Sequence, residues 1–146
     1  MAAKTFSLQF DGYWREPNIS GLPDKSGVYG VYACTFDSGQ QTVSLNRLLY
    51  IGDAADVRDR VKNHDRWQDW KRQLKAGEVI CINAALISPQ ADRCRAEAAM
   101  IFKHKPPCNT EYVDNFPFDS TTIATSGKNA LMVPSFTVTQ VAKAWL

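Results

Sequence analysis

Alternation of apolar and polar side chains predicts strands in the first third of the chain. Phe6, Leu8 and Phe10 alternate with polar residues within residues 4–14, which is typical of a half-buried strand. Residues 28–36 are apolar at both sets of alternating positions. A strand of that kind is covered on both faces, so we predict that it lies in the middle of a sheet.

Two further strands and one loop follow from the same pattern. Residues 37–46 are polar and contain a glycine, so we predict a connecting loop there. Residues 48–52 and 79–87 form short apolar runs, and we predict that both are strands.

Helical spacing of apolar residues predicts three helices between and after these strands. The first begins at a cap formed by Asp53 or Asp56 and ends near residue 64. The second is a short helix over residues 67–74, and the third covers residues 88–104 and stops before Pro106-Pro107.

The C-terminal segment, residues 116–146, has a weaker pattern. We predict short strands around Ile123, at residues 131–133 and at residues 136–138, some of them paired with the N-terminal strand. Together the elements predict an α/β protein of the α+β type, a single domain over residues 1–146 with a small antiparallel sheet flanked by helices.

Composition narrows the class of protein without choosing a function. The net charge of +2 is too small to indicate a nucleic-acid binder, so a basic surface would have to be local. The four cysteines form no C-x-x-C pair and there are two histidines, which disfavours a zinc site. Scattered free thiols, the absence of a signal peptide and the short apolar runs lead us to expect a soluble cytoplasmic protein without a membrane span.

Two tyrosines next to glycines stand at the ends of predicted strands. Gly27-Val28-Tyr29 begins the strand at residues 28–36, and Tyr50-Ile51-Gly52 ends the following one. A strand tyrosine is usually a core aromatic with a hydrated hydroxyl, and either tyrosine alone would be read that way. As a pair beside glycines, they are candidates for a site that binds a ligand closely.

The helix after the second tyrosine carries two further candidates. Arg60 and His64 are four residues apart and are predicted to project from one side of this helix, whereas Arg58 points away. An arginine fork can bind two phosphate oxygens, and a histidine can carry a proton near neutral pH. Each residue alone is more often part of a solvated surface.

The third helix carries Glu97, and Asn109 lies just beyond its end. A glutamate at the edge of the apolar stripe can bind a hard cation such as Mg²⁺. The ordinary interpretations are an exposed helix former for Glu97 and a turn residue for Asn109.

The segment from residue 58 to residue 75 is basic and contains Trp67 and Trp70. The tryptophans have helical spacing and are predicted to be core residues. We expect its cationic side chains to contact DNA phosphates: Arg58, Lys62, Arg66, Lys71 and Arg72.

The ordered set of Gly27-Val28-Tyr29, Tyr50-Ile51-Gly52, Arg60, His64, Glu97 and Asn109 resembles the GIY-YIG nuclease family, with Val28 in place of the first motif's isoleucine. The resemblance covers residues 26–110 and implies a GIY-YIG-like sheet of three antiparallel strands, with the N-terminal strand and residues 116–146 as additions. It also implies an endonuclease that hydrolyses DNA with one Mg²⁺ or Mn²⁺ ion.

The resemblance also implies a role for each matched residue. Tyr29 would activate water with help from His64, Tyr50 would orient water or phosphate, and Arg60 would bind the scissile phosphate. Glu97 would be both catalytic and the metal ligand. Three matched residues would support the site: Gly27, Gly52 and Asn109.

Two departures from the family pattern keep other functions open. The loop between the motifs is longer than the usual hairpin, and Asp53 stands where repair-type relatives often carry lysine. The alternatives are a non-catalytic nucleic-acid-binding module and a component that docks on a partner. Specificity for DNA would come from a partner protein or a homodimer.

Overall fold

A computed structural model describes residues 2–141 of the chain. Residues 142–146 of the predicted C-terminal extension lie outside the described residues. The six strands are β1 (Lys4–Arg15), β2 (Gly27–Asp37), β3 (Thr42–Ala54), β4 (Glu78–Leu86), β5 (Thr121–Gly127) and β6 (Ser135–Val138). The α-helices are α1 (Val57–Lys62), α2 (Trp67–Arg72) and α3 (Gln90–His104), and a 3₁₀ helix spans Glu16–Gly21. Within the described part, no helix is long and apolar enough to cross a membrane.

The strands form one mixed sheet in the order β3-β2-β4-β1-β5-β6. Neighbouring strands are antiparallel except β1 and β5, which are parallel from Lys4↔Thr121 to Phe10↔Gly127. The predicted α+β class, with a sheet flanked by helices, is therefore confirmed. The predicted pairing of the C-terminal segment with the N-terminal strand is confirmed by the β1–β5 ladder.

Strand β2 is buried from Gly27 to Cys34 and is bonded to β3 on one side and to β4 on the other. One face of the sheet packs against α3, with Phe10, Tyr32 and Met100 in the core. The other face packs against α1 and α2, with Val61 and Trp70 in the core. The prediction that this strand is covered on both faces is therefore confirmed, and this burial explains its continuous apolar pattern.

The loop predicted at residues 37–46 is too long. Strand β3 begins at Thr42, because the β2–β3 hairpin continues to the pair Asp37↔Thr42. The Asp37 carboxylate accepts hydrogen bonds from the N–H groups of Gly39 and Gln40, which closes the turn. The hairpin end projects beyond the first residue of β4, so its side chains are largely exposed and give no apolar signal.

The strand predicted at residues 131–133 is absent. Leu131 has a left-handed backbone with φ of 63°, and the Met132 N–H bonds to the Asn129 carbonyl in a turn. The apolar side chain of Met132 is nevertheless buried in the core. Burial of a turn residue therefore produced an apolar pattern like that of a strand.

The expectation of free thiols is wrong for two cysteines. Cys34 and Cys81 form a disulfide between the neighbouring strands β2 and β4. Cys94 and Cys108 are free. The paired cysteines are separated by 47 residues, so the register of two strands, which no local motif encodes, brings them together.

The fully buried Asn83 on β4 connects three parts of the chain. Its side-chain oxygen accepts the Gly30 N–H at 2.7 Å, and its amide group donates to the Tyr32 hydroxyl at 3.1 Å and the Lys128 carbonyl at 2.8 Å. A Cβ atom at Gly30 would lie 2.6 Å from the Asn83 oxygen, so glycine is required for this approach.

We expect Asn83→Ala to lower the free energy of unfolding by about 3 kcal/mol, because it leaves buried backbone groups without partners. Chemical denaturation followed by tryptophan fluorescence measures this change. The matched control is Asn18→Ala at an exposed position of the 3₁₀ helix, where we expect a change within about 0.5 kcal/mol. Equal small effects for both variants would contradict the structural role of Asn83.

Candidate active site

The register of β2 and β3 places the two motif tyrosines on one face of the sheet. Tyr29 pairs with Gly52 and Tyr50 pairs with Val31, and the two tyrosine rings are 6.4 Å apart. A Cβ atom at Gly52 would lie 2.4 Å from the Tyr29 hydroxyl oxygen. Glycine at this position therefore makes room for the Tyr29 ring across the strand pair.

Gly27 has a comparable packing role at the start of β2. A Cβ atom there would lie 2.4 Å from the Ala85 carbonyl oxygen and 3.3 Å from a Val57 methyl group. Both motif glycines thus make room for protein atoms. They support the site through close packing of protein atoms, and neither glycine leaves open space for a ligand.

His64 lies beyond the end of α1 and is buried, with 6 % of its surface exposed. Helix α1 begins at the Asp56 cap, whose carboxylate accepts the Asp59 N–H, and ends at Lys62. The His64 ring packs against Tyr29, Tyr50 and Trp70. The helix ends before His64, yet Arg60 and His64 both approach the Asp65 carboxylate, at 3.5 Å and 3.3 Å.

One hydrogen bond assigns the proton of the His64 ring. Its Nδ1 accepts the Arg66 backbone N–H at 3.0 Å, so a neutral ring carries its proton on Nε2. Nε2 is buried and has no hydrogen-bond partner among the described residues. Burial first, and then the nearby Arg60 charge, lower the pKa of His64 to about 4. Asp65 lies 3.3 Å from Nδ1 but is well exposed, so water screens its opposing effect.

Four of the residues matched to the family motifs line one cavity of about 210 Å³: Tyr50, Arg60, Glu97 and Asn109. The Arg60 side chain is 46 % exposed and lies 3.5 Å from Asp65. Tyr29 and His64 do not line the cavity but pack against Tyr50. The motif residues therefore lie close together in two layers. Some of them line the cavity, and the buried Tyr29 and His64 rings pack behind Tyr50.

Glu97 is one of three acids that line this cavity, with Asp65 and Glu111. Burial and a hydrogen bond with Asp53 raise the pKa of Glu97 above its usual range. The two acids come together because α3 crosses the end of β3. A half-buried carboxyl beside a second acid favours its neutral form, so this site favours any ligand that brings positive charge to Glu97.

Arg93 and Ser26 belong to the site's surroundings and are absent from the predicted set. The Arg93 Nε donates to the Asp53 carboxylate at 2.5 Å, and one of its terminal nitrogens donates to the Ser26 hydroxyl at 3.0 Å. Arg93 and Glu97 are one helical turn apart, so both face Asp53. In the sequence, the spacing of four residues between Arg93 and Glu97 could have indicated that Arg93 lies near the site.

The surroundings of both motif tyrosines favour the neutral phenol. Burial, followed by the charge of Tyr50, raises the pKa of Tyr29, and burial followed by Glu97 raises that of Tyr50. Arg60 acts in the opposite direction and lowers the pKa of both tyrosines. Positive charge at the cavity is therefore what would favour loss of a phenolic proton.

Asn109 holds the free edge of β3. Its side-chain oxygen accepts the Ile51 N–H at 2.9 Å, and its amide group donates to the Ile51 carbonyl at 2.9 Å. The Cys108 N–H bonds to the Leu49 carbonyl at 2.9 Å. The segment after α3 therefore replaces a neighbouring strand at the residues flanking Tyr50.

The five residues predicted to bind DNA differ in their contacts, and one of them, Arg66, lines the cavity. Arg58 donates to the Leu22 carbonyl and Lys71 to Glu16, so both contact the N-terminal region. Lys62 is exposed on α1. Arg66 lines the cavity, whereas Arg72 pairs with Asp69 on α2. Trp70 is fully buried and Trp67 is half-buried beside it, as predicted for core residues.

The donor set around Glu97 suits a cation that keeps most of its water. Among residues 2–141, no group of three or more His, Cys, Asp or Glu side chains is placed to hold a metal ion. Mg²⁺ typically binds one or two protein carboxylates and takes its remaining oxygens from water and substrate phosphates. Glu97, with Asp53 beside it and Arg60 in the same cavity lining, fits that mode of binding.

The chain is similar to UvrABC system protein C from several organisms. It is 30% identical over 96 residues to that of Fervidobacterium nodosum, covering 66% of this chain and 15% of the relative. For Haloarcula marismortui the identity is also 30% over 96 residues, covering 64% of this chain and 15% of the relative. For Thermosipho africanus it is 26% over 91 residues, covering 62% and 14%.

The chain therefore spans about 15% of the length of these curated relatives. No family model matches the chain, and no solved structure matches it.

We expect Asn109→Ala to destabilise the fold by about 1–2 kcal/mol and to expose the edge of β3 at Ile51. Hydrogen exchange should show faster exchange of the Ile51 amide, with little change at Val31 in the covered strand β2. Asn109→Asp keeps the acceptor for the Ile51 N–H and should preserve most of its protection. Unchanged exchange at Ile51 in the alanine variant would contradict this role for Asn109.

Proposed function

We propose that this protein is a GIY-YIG-type endonuclease that hydrolyses DNA phosphodiester bonds with one Mg²⁺ or Mn²⁺ ion. The single observation that carries the proposal is the convergence of Tyr50, Arg60 and Glu97 on one cavity. An acid, a permanent cation and a phenol in the lining of one cavity suit a phosphodiester better than a neutral ligand. Similarity to UvrABC system protein C over two thirds of the chain supports a shared domain.

Arg60 binds the scissile phosphate in this proposal. Its guanidinium group is half-exposed at the cavity, and its described ion-pair partner is the exposed Asp65 at 3.5 Å. An exposed pair of this length is weak, so an incoming phosphate can replace Asp65. Two donors on one rigid group then stabilise the charge that develops on the phosphate oxygens.

Glu97 would hold the metal ion in this proposal. When bound, Mg²⁺ supplies Lewis-acid stabilisation of the phosphate charge. Asp53 and Arg93 fix the carboxyl of Glu97 through the network described above. The lysine that repair-type relatives often carry is thus replaced by an acid that is already paired within the protein.

Tyr50 forms the water-binding side of the cavity, and Tyr29 and His64 pack behind it. Tyr50 lines the cavity, so its hydroxyl orients the attacking water or a phosphate oxygen. Tyr29 is buried against Tyr50 and Gly52, so its role in activating water is indirect, as a phenol whose proton loss Arg60 favours. His64 takes part as a neutral ring that holds Tyr50 in place by packing, which differs from the proton transfer suggested by its sequence position.

We expect plasmid nicking that depends on Mg²⁺ or Mn²⁺ and is lost in Glu97→Ala and Arg60→Ala, each by about 100-fold or more. Gel analysis of supercoiled DNA measures the rate. Asp114→Asn, an exposed acid outside the cavity, is the control and should cleave like the wild type. Nicking of equal rate in Glu97→Ala would overturn the assignment. Duplex binding without cleavage by the wild type would favour the non-catalytic binding module.

We expect His64→Gln to retain activity within about tenfold of the wild type, because a neutral side chain still fills the space behind Tyr50, whereas His64→Ala leaves a cavity there and loses more. A proton carrier would lose about 10²–10⁴-fold in both variants. With a pKa near 4, His64 is neutral at higher pH, so no ionisation of this residue should shape the rate between about pH 5 and 8. NMR of the ring nitrogens should show a protonated Nε2 and an unprotonated Nδ1 at neutral pH.

A further inference from the structure

The candidate active site opens into two neighbouring grooves. One, of about 240 Å³, lies between α2 and the segment after α3, and it shares Arg66 and Thr110 with the catalytic cavity. The other, of about 470 Å³, is formed by residues 110–115 and shares Thr110 and Glu111 with the same cavity. We call them the α2 groove and the acidic groove.

The two grooves differ in charge. Arg66 and Arg72 line the α2 groove with one acid, Asp69, between them. The acidic groove is lined by Glu111 and Asp114 and by no basic side chain among the described residues. A chain of phosphates leaving the catalytic cavity is therefore attracted into the first groove and repelled from the second.

Asp69 orients the two arginines of the α2 groove without covering them. Its carboxylate lies 3.7 Å from Arg66 and also pairs with Arg72. The Arg66 side chain is 36 % exposed and that of Arg72 is 70 % exposed. Both guanidinium groups thus keep donors open to a ligand, while the shared acid limits their rotation.

The walls of the α2 groove are fixed before any ligand arrives. On one side, α2 is anchored by the fully buried Trp70. On the other, Cys108 and Asn109 are bonded to the edge of β3. A groove with rigid walls loses little conformational freedom on binding, so its contacts contribute more fully to affinity.

We propose that one DNA strand passes from the catalytic cavity into the α2 groove, where Arg66 and Arg72 bind phosphates next to the scissile one. The acidic groove stays free of nucleic acid. This inference rests on the proposed function and adds the path of the DNA strand. The strand lies on the side of the cavity where the α2 groove opens. It also separates Arg66 and Arg72 from Arg58 and Lys71, whose side chains are bound to the N-terminal region.

The test measures DNA binding separately from cleavage. Each variant is made in a Glu97→Gln background and titrated onto a fluorescein-labelled oligonucleotide of about 20 residues, single-stranded and as duplex, at several salt concentrations. Arg72→Ala should raise the Kd by roughly three- to tenfold and reduce the slope of log K against log salt by about 0.7–0.9.

Lys75→Ala is the matched control, because it removes the same charge from an exposed position three residues beyond Arg72 and outside the groove. It should leave the salt slope unchanged. Asp114→Asn should change the Kd by less than about twofold, since no phosphate approaches the acidic groove.

Equal losses for Arg72→Ala and Lys75→Ala would overturn the proposal, because binding would then follow net charge alone. A marked gain in affinity for Asp114→Asn would also overturn it by placing DNA in the acidic groove. If the protein with Glu97 intact cleaves DNA and Arg72→Ala does not change DNA binding, the α2 groove is not the DNA path, and the proposed nuclease function still stands. Absence of DNA binding at every salt concentration would instead remove the proposed function itself.

Discussion

The antiparallel pairing of β2 with β3 is the constraint on which the candidate site depends. A shift of one residue would turn Tyr29 or Tyr50 to the opposite face of the sheet, because side chains alternate along a strand. The pair Tyr29↔Gly52 fixes the register, since the Tyr29 ring occupies the space that a side chain at position 52 would need. Asn109 then bonds both backbone groups of Ile51 and holds the same strand from its free edge. The two motif tyrosines are therefore placed by packing and backbone hydrogen bonds alone, before any charged residue contributes.

The charged residues are arranged around that strand by the crossing of α3 over the end of β3. Arg93 and Glu97, one turn apart, meet Asp53 from the same side of the helix. Removing carboxyls from water is costly, and the Arg93–Asp53 pair offsets part of that cost. Glu97 is left with no cation paired directly to it in the described structure, which is the state that favours a positively charged ligand. Arg60, held at the cavity by the short helix α1, provides the opposite charge for a phosphate.

Much of the fold follows from local pattern. Strands β1, β2 and β4 and helix α3 have apolar periods that burial on one or both faces produces, and Asp56 caps α1 as its side-chain chemistry predicts. The errors share a cause. Residues 42–46 extend β3 at the exposed end of a hairpin, where pairing needs no apolar side chains. Met132 is buried from a turn, and Cys34 meets Cys81 across strands. Each depends on contacts between distant segments, which a local pattern does not contain.

The sequence by itself determined the types of the main elements and the ordered set of side chains that carry the candidate chemistry: Tyr29, Tyr50, Arg60, His64, Glu97 and Asn109. Tertiary structure decided how they are used. It ended α1 before His64, so that this ring lies buried with its proton on Nε2, while Arg60 stays at the cavity. It brought Asp53 into contact with both Arg93 and Glu97, and it placed the oppositely charged Arg66 and Glu111 in the lining of one cavity. The physical reason is that burial and charge pairing depend on distances in space, and the packing of α3 and the following segment against β3 sets those distances.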